Sequence, residues 1–178
     1  YSYISMEYVN GVSLKDKLGV TVEGGVSRCT LAFDESLAIL YQIISGVAYA
    51  HGKGVIHRDL KPANVLLSKS GEVKLADFGT ARIMGMDTSL TQTGQVIGTP
   101  DYMSPEQIRG EQLDPSCDIY ALGIVAYELA VGLRPFIADS AVAVAFKHLN
   151  DPLPAFASAE QGIPLWYEEV ARKASAKK

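Results

Sequence analysis

The chain has 178 residues, of which 48% are hydrophobic and 20% are charged, and its formal net charge is -4. A globular chain of this composition can bury a substantial core, and its acidic balance argues against a nucleic-acid-binding surface. Cys29 and Cys117 form no CxxC pair, and the most apolar stretch, IYALGIVAYELAVG, is short and contains Glu128. We therefore expect neither a cysteine-based metal site nor a membrane-spanning segment within this chain.

The first half of the chain predicts short elements followed by one long helix. Residues 1–9, YSYISMEYV, are rich in aromatic and β-branched residues and predict a strand, and Ser13 is the expected N-cap of a short helix over SLKDKL. Residues 19–30, GVTVEGGVSRCT, are interpreted as a glycine-containing loop. Asp34 and Gly52 are the expected ends of the long helix. Its apolar positions recur at helical spacing and are Leu37, Leu40, Tyr41, Ile44, Val47 and Ala48.

The second half begins with short strands and ends in helices. VI at 55–56 and VLL at 65–67 flank a polar segment, and KSGE predicts a turn into a further strand, VKLA, at 73–76. The stretch from Asp77 to about Ser104 is expected to be irregular. DIYALGIVAYELAVG, which begins at Asp118, is apolar on nearly every face and predicts a helix inside the core. Two more helices are expected at 139–149 and 165–176.

The two ends of the chain lack boundary signals. Tyr1 stands where a complete protein begins with Met, and no capping turn precedes the first predicted strand. The last residues, WYEEVARKASAKK, have a helical pattern without a Gly or Pro stop signal. We therefore expect the chain to be a segment of a longer protein.

The segment VIHRDLKPANVLL, residues 55–67, concentrates polar side chains between two apolar runs. It contains His57, Arg58, Asp59, Lys61 and Asn64 within eight residues. A loop held between short strands can keep polar groups at fixed distances, as chemistry requires. A solvated turn explains the same charges, and this segment alone does not decide between the two interpretations.

A second polar cluster, LADFG at 75–79, follows the predicted strand VKLA. Gly79 permits a sharp backbone turn there. A hairpin over 65–76 would bring Asp77 back beside Asn64, so that a carboxylate and an amide oxygen converge. Both are hard ligands, and the pair suits magnesium held against phosphates.

A third segment, GTPDYMSPEQ at 98–107, completes a recognisable set. The three segments in this order resemble the signature of the protein kinase family. HRDLKPAN, with its lysine after leucine, is similar to serine/threonine kinases of the eukaryotic-like (Hanks) type. TQTGQVIGTPDYMSPEQ resembles most the bacterial receptor-type branch. The resemblance covers almost the whole chain.

The resemblance implies a fold class and a domain organisation. We expect a mainly α structure from an α+β parent fold, namely the large, C-terminal kinase lobe, helical with short β-hairpins, and almost none of the small lobe. Residues 1–10 would be the last strand of the small lobe and the hinge, and residues 11–178 a large lobe truncated at its C-terminus. The catalytic loop would be 57–64, the DFG segment 77–79 and the activation segment 77–106.

The same resemblance implies catalytic and metal-binding roles. Asp59 would accept or orient the proton of the substrate hydroxyl, and Lys61 would stabilise charge on the transferred phosphoryl group. Asn64 and Asp77 would hold the metal ions, Mg²⁺ or Mn²⁺, that bridge the phosphates of ATP. Thr99 would form a hydrogen bond near Asp59 and Lys61 and help to shape a site for serine or threonine.

Nucleotide binding and regulation are assigned in the same way. The hinge, from Glu7 to Val9, would meet the adenine edge through its backbone, with Met6 at the back of the pocket and Leu66 as its floor. Plain core packing is the alternative for Met6 and Leu66. For regulation, Arg58 would pair with a phosphate on the activation segment. The expected phosphate acceptors are Thr91 and Thr93.

Supporting residues complete the assignment. His57 would be structural and would pack the loop against Phe78. Asp118 would accept backbone N–H groups of the catalytic loop, because a buried carboxylate needs donors. Glu106 would pair with an arginine beyond the end of the chain, since Arg172 lies too early to match that partner.

Three functions remain open at this point. The first is a serine/threonine protein kinase that transfers the γ-phosphate of ATP to proteins and is regulated by autophosphorylation. Its expected catalytic residues are all present, namely Asp59, Lys61, Asn64 and Asp77. The second is a catalytically impaired, kinase-like binding or scaffold module, and the third a small-molecule phosphotransferase. We favour the first. The chain has no G-x-G-x-x-G loop and no VAIK lysine, so the isolated 178 residues are expected to be inactive.

The expected partners follow from the favoured function. They are protein substrates with Ser or Thr hydroxyls and a second copy of the kinase for autophosphorylation in trans, and no nucleic acid. A cytoplasmic kinase domain is expected, with a membrane tether outside this chain left open.

Overall fold

The computed structural model describes residues 6–23, 26–29, 31–78, 100–156 and 162–177, and between 20 and 29 it describes the backbone alone. Within these ranges the fold is mainly helical, with five short strands in two small sheets. The α-helices are α1 (Leu14–Lys17), α2 (Phe33–Gly52), α3 (Pro105–Arg109), α4 (Ser116–Val131), α5 (Ala141–Asn150) and α6 (Leu165–Ala174). The strands are β1 (Gly11–Ser13), β2 (Val20–Glu23), β3 (Val26–Cys29), β4 (Val65–Ser68) and β5 (Val73–Leu75).

Helix α4 is the centre of the core. It is buried on nearly all sides, and it packs against α2 and α6. Two side-chain hydrogen bonds fix these neighbours: Ser36 Oγ donates to the carbonyl of Leu129 at 3.0 Å, and Tyr167 Oη donates to that of Ala126 at 2.9 Å. The prediction of a helix inside the core is confirmed.

The three-stranded sheet, in the order β1-β4-β5, is antiparallel and lies beside the polar loop. The pairing of Val65 with Leu75 confirms the predicted hairpin over 65–76. Strand β1 joins the other edge of β4, where Gly11 lies opposite Ser68. A Cβ atom at Gly11 would stand 1.8 Å from the carbonyl oxygen of Leu67, so this close approach requires glycine.

Local signals explain two of the shorter helices. Ser13 caps α1 as predicted, in a capping box with Asp16. Ser104 caps α3 in the same way with Gln107, and Gly110, in the left-handed conformation, ends that helix. Helix α3 begins just after the stretch from Asp77 to about Ser104 that is expected to be irregular. Within that stretch, the described residues after 99 include one short 3-10 turn, Pro100–Tyr102.

Several other expectations need correction. No strand is present over residues 6–10 or 55–56, and residues 1–5 lie outside the described part of the chain. The expected loop at 19–30 is instead the antiparallel hairpin β2–β3, with Val20 opposite Cys29. Helix α2 starts at Phe33 and has Ala32 as its N-cap. Asp34 therefore lies inside the first turn and is not the N-cap that the sequence predicts.

The buried face of α2 also differs from the predicted one. Ile39, Ile43 and Ala50 are buried with Leu40 and Val47, whereas Tyr41 is 71% exposed. Ile44 and Ala48 are exposed as well. A helix with apolar residues around most of its circumference fits more than one face, so its neighbours decide which residues are buried.

Candidate active site

The polar loop is attached to the core through Asp118, at the start of α4. Its side chain is 1% exposed, and its two oxygens accept the backbone N–H groups of His57 and Arg58, each at 2.8 Å. The hydrogen bonds expected between Asp118 and the loop are therefore present. A buried carboxylate with several donors forms strong charge-assisted bonds, so the loop is fixed to the most buried helix.

A third donor to Asp118 comes from α2. His51 Nε2 donates to Asp118 Oδ2 at 2.7 Å, to the same oxygen that accepts the His57 N–H group. His51 lies in the last turn of α2, just before the chain enters the loop. The end of α2, the loop and the start of α4 thus meet at one carboxylate.

Asp59, Lys61 and Asn64 form one hydrogen-bonded cluster within this loop. Lys61 Nζ lies 3.0 and 2.8 Å from the two carboxylate oxygens of Asp59. Asn64 Nδ2 donates to the backbone carbonyl of Asp59 at 2.8 Å and to its Oδ2 at 3.0 Å. The Asp59 carboxylate is partly exposed while Asn64 is buried. The buried Asn64 amide therefore fixes a carboxylate that remains accessible from solvent.

The residue before Asp59 has an unusual backbone. Arg58 has φ of +70°, in the left-handed region that side chains other than glycine rarely adopt. Its N–H group donates to Asp118, and its carbonyl accepts a hydrogen bond from Gln107 Nε2 at 2.6 Å. Its Nε atom is buried and has no hydrogen-bond partner among the described residues.

The β4–β5 hairpin places Asp77 next to the loop. The Ala76 N–H group donates to the Asn64 carbonyl at 2.9 Å, so Asp77 follows the residue that is bonded to Asn64. Asp77 is exposed and has φ of +61°. The predicted convergence of Asn64 and Asp77 is therefore supported by a backbone contact.

His57 is completely buried against this junction. Its ring contacts Phe78, with 4.4 Å between the ring centroids, and its Nδ1 accepts the Asp59 N–H group at 3.4 Å. Burial lowers the pKa of His57, although the nearby carboxylates of Asp118 and Asp59 oppose the shift. A neutral His57 that packs against Phe78 suits the structural position expected for it.

The described residues contain no group of three or more His, Cys, Asp or Glu side chains arranged to hold a metal ion. Asn64 and Asp77 offer instead one amide and one carboxylate oxygen. Magnesium in nucleotide sites is typically bound by one or two carboxylates together with phosphate oxygens and water. The donor set therefore fits a metal that arrives with a phosphate ligand, and it does not fit an all-protein cage.

The residues expected around adenine lie on two segments. Met6, Glu7 and Val9 precede β1, and Met6 is 68% exposed, so it does not belong to the described core. Lys74 of β5 lies 3.7 Å from Glu7 and ties this segment to the hairpin. Leu66 is half-buried in β4, opposite Ser13.

The remaining candidates divide into two groups. Glu106 accepts a hydrogen bond from Ser116 Oγ at 3.4 Å and has no ion pair among the described residues, while Arg172 binds Glu168 Oε1 at 2.7 Å. Gly79, Thr91, Thr93 and Thr99 lie outside the described residues.

A comparison with known protein families shows to which family the chain belongs. The family described as "Protein kinase domain" matches residues 1–173. The chain belongs to the protein kinase family. The predicted resemblance is confirmed, and so is the fold class: the described residues form the mainly helical large lobe of a protein kinase.

Bacterial serine/threonine kinases are among the relatives of this kinase chain. It is 45% identical over 175 residues to the probable serine/threonine-protein kinase PknB of Lactococcus lactis, a match that covers 98% of this chain and 27% of the relative. Identity is 42% to PknB of Mycobacterium leprae, with 98% and 27% covered, and 42% to PrkC of Bacillus subtilis, with 98% and 26% covered. The chain thus spans about a quarter of the length of these relatives.

Membership has general consequences. Protein kinases are transferases that phosphorylate proteins, and ATP and magnesium are typical of the family. No described helix combines the length and the apolar character needed to cross a membrane.

Two residues of this kinase site were missed by sequence reasoning. His51 has no local signal, because its partner Asp118 lies 67 positions away in sequence. Gln107 does have one: Ser104 and Gln107 form an S-x-x-Q pattern, which predicts a capping box. The pattern could have located the start of α3, but not the bond from Gln107 to Arg58.

Proposed function

We propose that this chain is the catalytic large lobe of a serine/threonine protein kinase, which transfers the γ-phosphate of ATP to Ser or Thr hydroxyls of proteins. The observation that carries the proposal is the cluster in which Asp59 is bound by both Lys61 and Asn64. The names of the relatives support serine/threonine specificity.

The proposed roles follow from the positions of the side chains. Asp59 is the base that accepts or orients the proton of the substrate hydroxyl, since its carboxylate is accessible while Asn64 holds its orientation. Lys61 keeps positive charge beside that carboxylate and stabilises charge on the transferred group. By the family resemblance, Thr99 would form a hydrogen bond near these two residues and help to shape the acceptor site.

ATP with Mg²⁺ (or Mn²⁺) supplies the phosphoryl group and neutralises the phosphate charge when bound. Asn64 and Asp77 would hold the metal through their oxygens. Glu7, Val9, Met6 and Leu66 would contact the adenine. The hydrogen bond from the Ala76 N–H group to the Asn64 carbonyl supports the metal assignment, because it links the segments that carry Asn64 and Asp77.

The proposed organisation is that of the family. Residues 1–10 would form the end of the small lobe and the hinge, with no strand over residues 6–10, and residues 11–178 would belong to the large lobe. The catalytic loop is 57–64, the DFG segment 77–79 and the activation segment 77–106. Phosphorylation of proteins would take place in the cytoplasm.

The separation of roles between Asp59 and Asp77 tests the function. In the intact protein, Asp59→Asn should lower turnover by about 10²–10⁴-fold and leave ATP affinity nearly unchanged, because this group acts on the hydroxyl. Asp77→Asn should weaken metal-dependent ATP binding together with turnover. Steady-state kinetics with a protein substrate, and ATP binding titrated with and without Mg²⁺, measure both effects.

Identical profiles for the two variants would contradict the assignment. An unsubstituted protein that binds a partner without transferring phosphate would contradict the kinase function itself. Asp16→Asn is a matched control, since Asp16 only caps the short helix α1.

We further propose that phosphorylation of Thr91 and Thr93, in trans between two copies, activates the enzyme. The support is Arg58, whose buried Nε lacks a partner among the described residues and which directly precedes Asp59. A phosphate carries a charge of about -1.5 to -2 and three acceptor oxygens, enough to pair with this cation.

Replacing both Thr91 and Thr93 with Ala should therefore lower the activity of the intact protein, and Arg58→Ala should remove most of the gain from phosphorylation. Mass spectrometry and activity assays before and after phosphatase treatment check both points. Full activity in the double Ala variant would refute this regulation.

A further inference from the structure

Arg58 is held at both ends of its backbone by side chains from two other elements. Asp118, at the start of α4, accepts its N–H group at 2.8 Å, and Gln107 of α3 donates to its carbonyl at 2.6 Å. With φ at +70°, Arg58 is in a conformation that its own side chain disfavours, so contacts from outside must maintain it. This peptide leads directly into Asp59.

Gln107 is well placed to supply one of these contacts. It is 7% exposed, and its Oε1 accepts the Ser104 N–H group at 3.0 Å while its Nε2 donates to Arg58. Its own N–H group donates to Ser104 Oγ at 3.4 Å. Both ends of the amide are therefore used, which fixes the side chain and makes Gln107 a rigid link between α3 and the catalytic loop.

We propose that Gln107 is a positioning residue for Asp59: by holding the Arg58 carbonyl, it keeps the catalytic loop in the left-handed turn that orients the Asp59 carboxylate. It also couples the end of the activation segment, where α3 lies, to the base. The catalytic part of this inference rests on the proposed kinase function. The effect of Gln107 on the conformation of the loop does not depend on that function.

Gln107→Glu separates positioning from simple packing. The substitution keeps the size of the side chain and the acceptor for the Ser104 N–H group, but an ionised carboxylate has no proton to donate to the Arg58 carbonyl. A protonated carboxyl group regains that donor. The defect should therefore appear at neutral pH and shrink as the pH is lowered.

The first measurement is backbone amide exchange in residues 57–60 of the chain, expressed as protection relative to the unsubstituted chain at the same pH. At pH 7.5, Gln107→Glu should lower protection about tenfold, and towards pH 5 the difference should diminish. Gln107→Leu, which cannot donate at any pH, should lose protection at both. Gln112→Glu makes the same chemical change at an exposed position and should have no effect.

The second measurement is steady-state kinetics of the intact protein. Gln107→Glu should lower kcat about tenfold or more with little change in KM for ATP, because a displaced Asp59 impairs proton transfer and not nucleotide binding. Gln112→Glu should match the unsubstituted enzyme.

Normal protection of residues 57–60 in Gln107→Glu at neutral pH would overturn the inference. So would a loss that is independent of pH or spread evenly over α3 and α4, since that indicates general destabilisation. If the unsubstituted protein transfers no phosphate, the proposed function fails, and amide exchange still decides whether Gln107 positions the loop.

Discussion

His148 shows how burial decides the chemistry of a single residue. It lies on α5 and is fully buried, with its Nδ1 2.9 Å from Tyr120 Oη and its ring edge-to-face with Phe136 at 4.7 Å. Lys177 is the charged group that faces it. Burial, reinforced by the Lys177 cation, lowers the pKa of His148 to about 3.

This shift predicts a loss of stability in acid. A histidine whose pKa is lower in the folded than in the unfolded state contributes fully above its ordinary value of 6.5, and the contribution is lost as the pH falls from there towards 3. The expected loss is about 1.4 kcal/mol of unfolding free energy per pH unit. Urea unfolding of the chain between pH 7.5 and pH 5 measures it.

His148→Leu should be less stable at neutral pH. Its unfolding free energy should also fall less steeply in acid, by about 1.4 kcal/mol per pH unit. His57, whose pKa burial also lowers, adds a slope of the same sign that both proteins share. The difference between the two proteins therefore isolates His148. Equal slopes in both would show that His148 is already protonated, or accessible, in the folded state.

At the scale of elements, Gln42 attaches the β4–β5 hairpin to α2. Its Oε1 accepts the Val73 N–H group at 3.1 Å, and its Nε2 donates to the Gly71 carbonyl at 3.2 Å. The same hairpin carries Asp77 at its end. The position of Asp77 relative to Asn64 thus depends on the contact of the hairpin with Gln42 of α2 and not on the turn alone.

We predict that Gln42→Ala costs about 1–2 kcal/mol of unfolding free energy, as expected for two partly exposed hydrogen bonds. In the intact protein it should also weaken Mg²⁺-dependent ATP binding, because Asp77 is less well held. Gln112→Ala, at an exposed position, is the matched control. Chemical unfolding and ATP titration check the two effects, and a stability loss without any change in ATP binding would contradict the link to Asp77.

Sequence patterns predicted the elements well where one local signal was decisive. Ser13 caps α1 through Asp16, and KSGE makes the turn between β4 and β5. The expectation failed for residues 19–30, where glycines suggested a loop and the backbone forms a hairpin. Glycine and β-branched residues occur in both, so pairing between strands decided the outcome.

At the scale of the whole molecule, the approach of α4 to α6 depends on Gly123. A Cβ atom at this position would lie 2.8 Å from the backbone nitrogen of Ser175 and 3.0 Å from the Ala171 carbonyl oxygen. These are backbone atoms, which cannot move aside without shifting α6. The two helices can pack at their present distance only because residue 123 has no side chain.

Gly123→Ala should therefore destabilise the chain by about 1–3 kcal/mol through overpacking, although alanine favours helices. Gly52→Ala is the matched control: it is also a helical glycine, and a Cβ atom there would have nothing within 4 Å. It should be neutral or slightly stabilising. Thermal and urea unfolding of both variants decide the point, and equal effects would contradict the close contact of α4 with α6.

The sequence by itself determined the family, the buried helix α4 and the polar residues of the candidate site. Each of these depends on residues that are close together in the chain: Asp59, Lys61 and Asn64 lie within six positions, and the apolar run of α4 is continuous. Short-range patterns of this kind carry their meaning without knowledge of the fold.

Only the tertiary structure decided which groups hold that site in place. His51 meets Asp118 across 67 positions, and Gln107 meets Arg58 across 49. It also decided that Tyr41 of α2 is exposed while Ile43 is buried. The physical reason is that hydrogen bonding and burial depend on which atoms become neighbours after folding, and residues far apart in sequence leave no local trace of that contact.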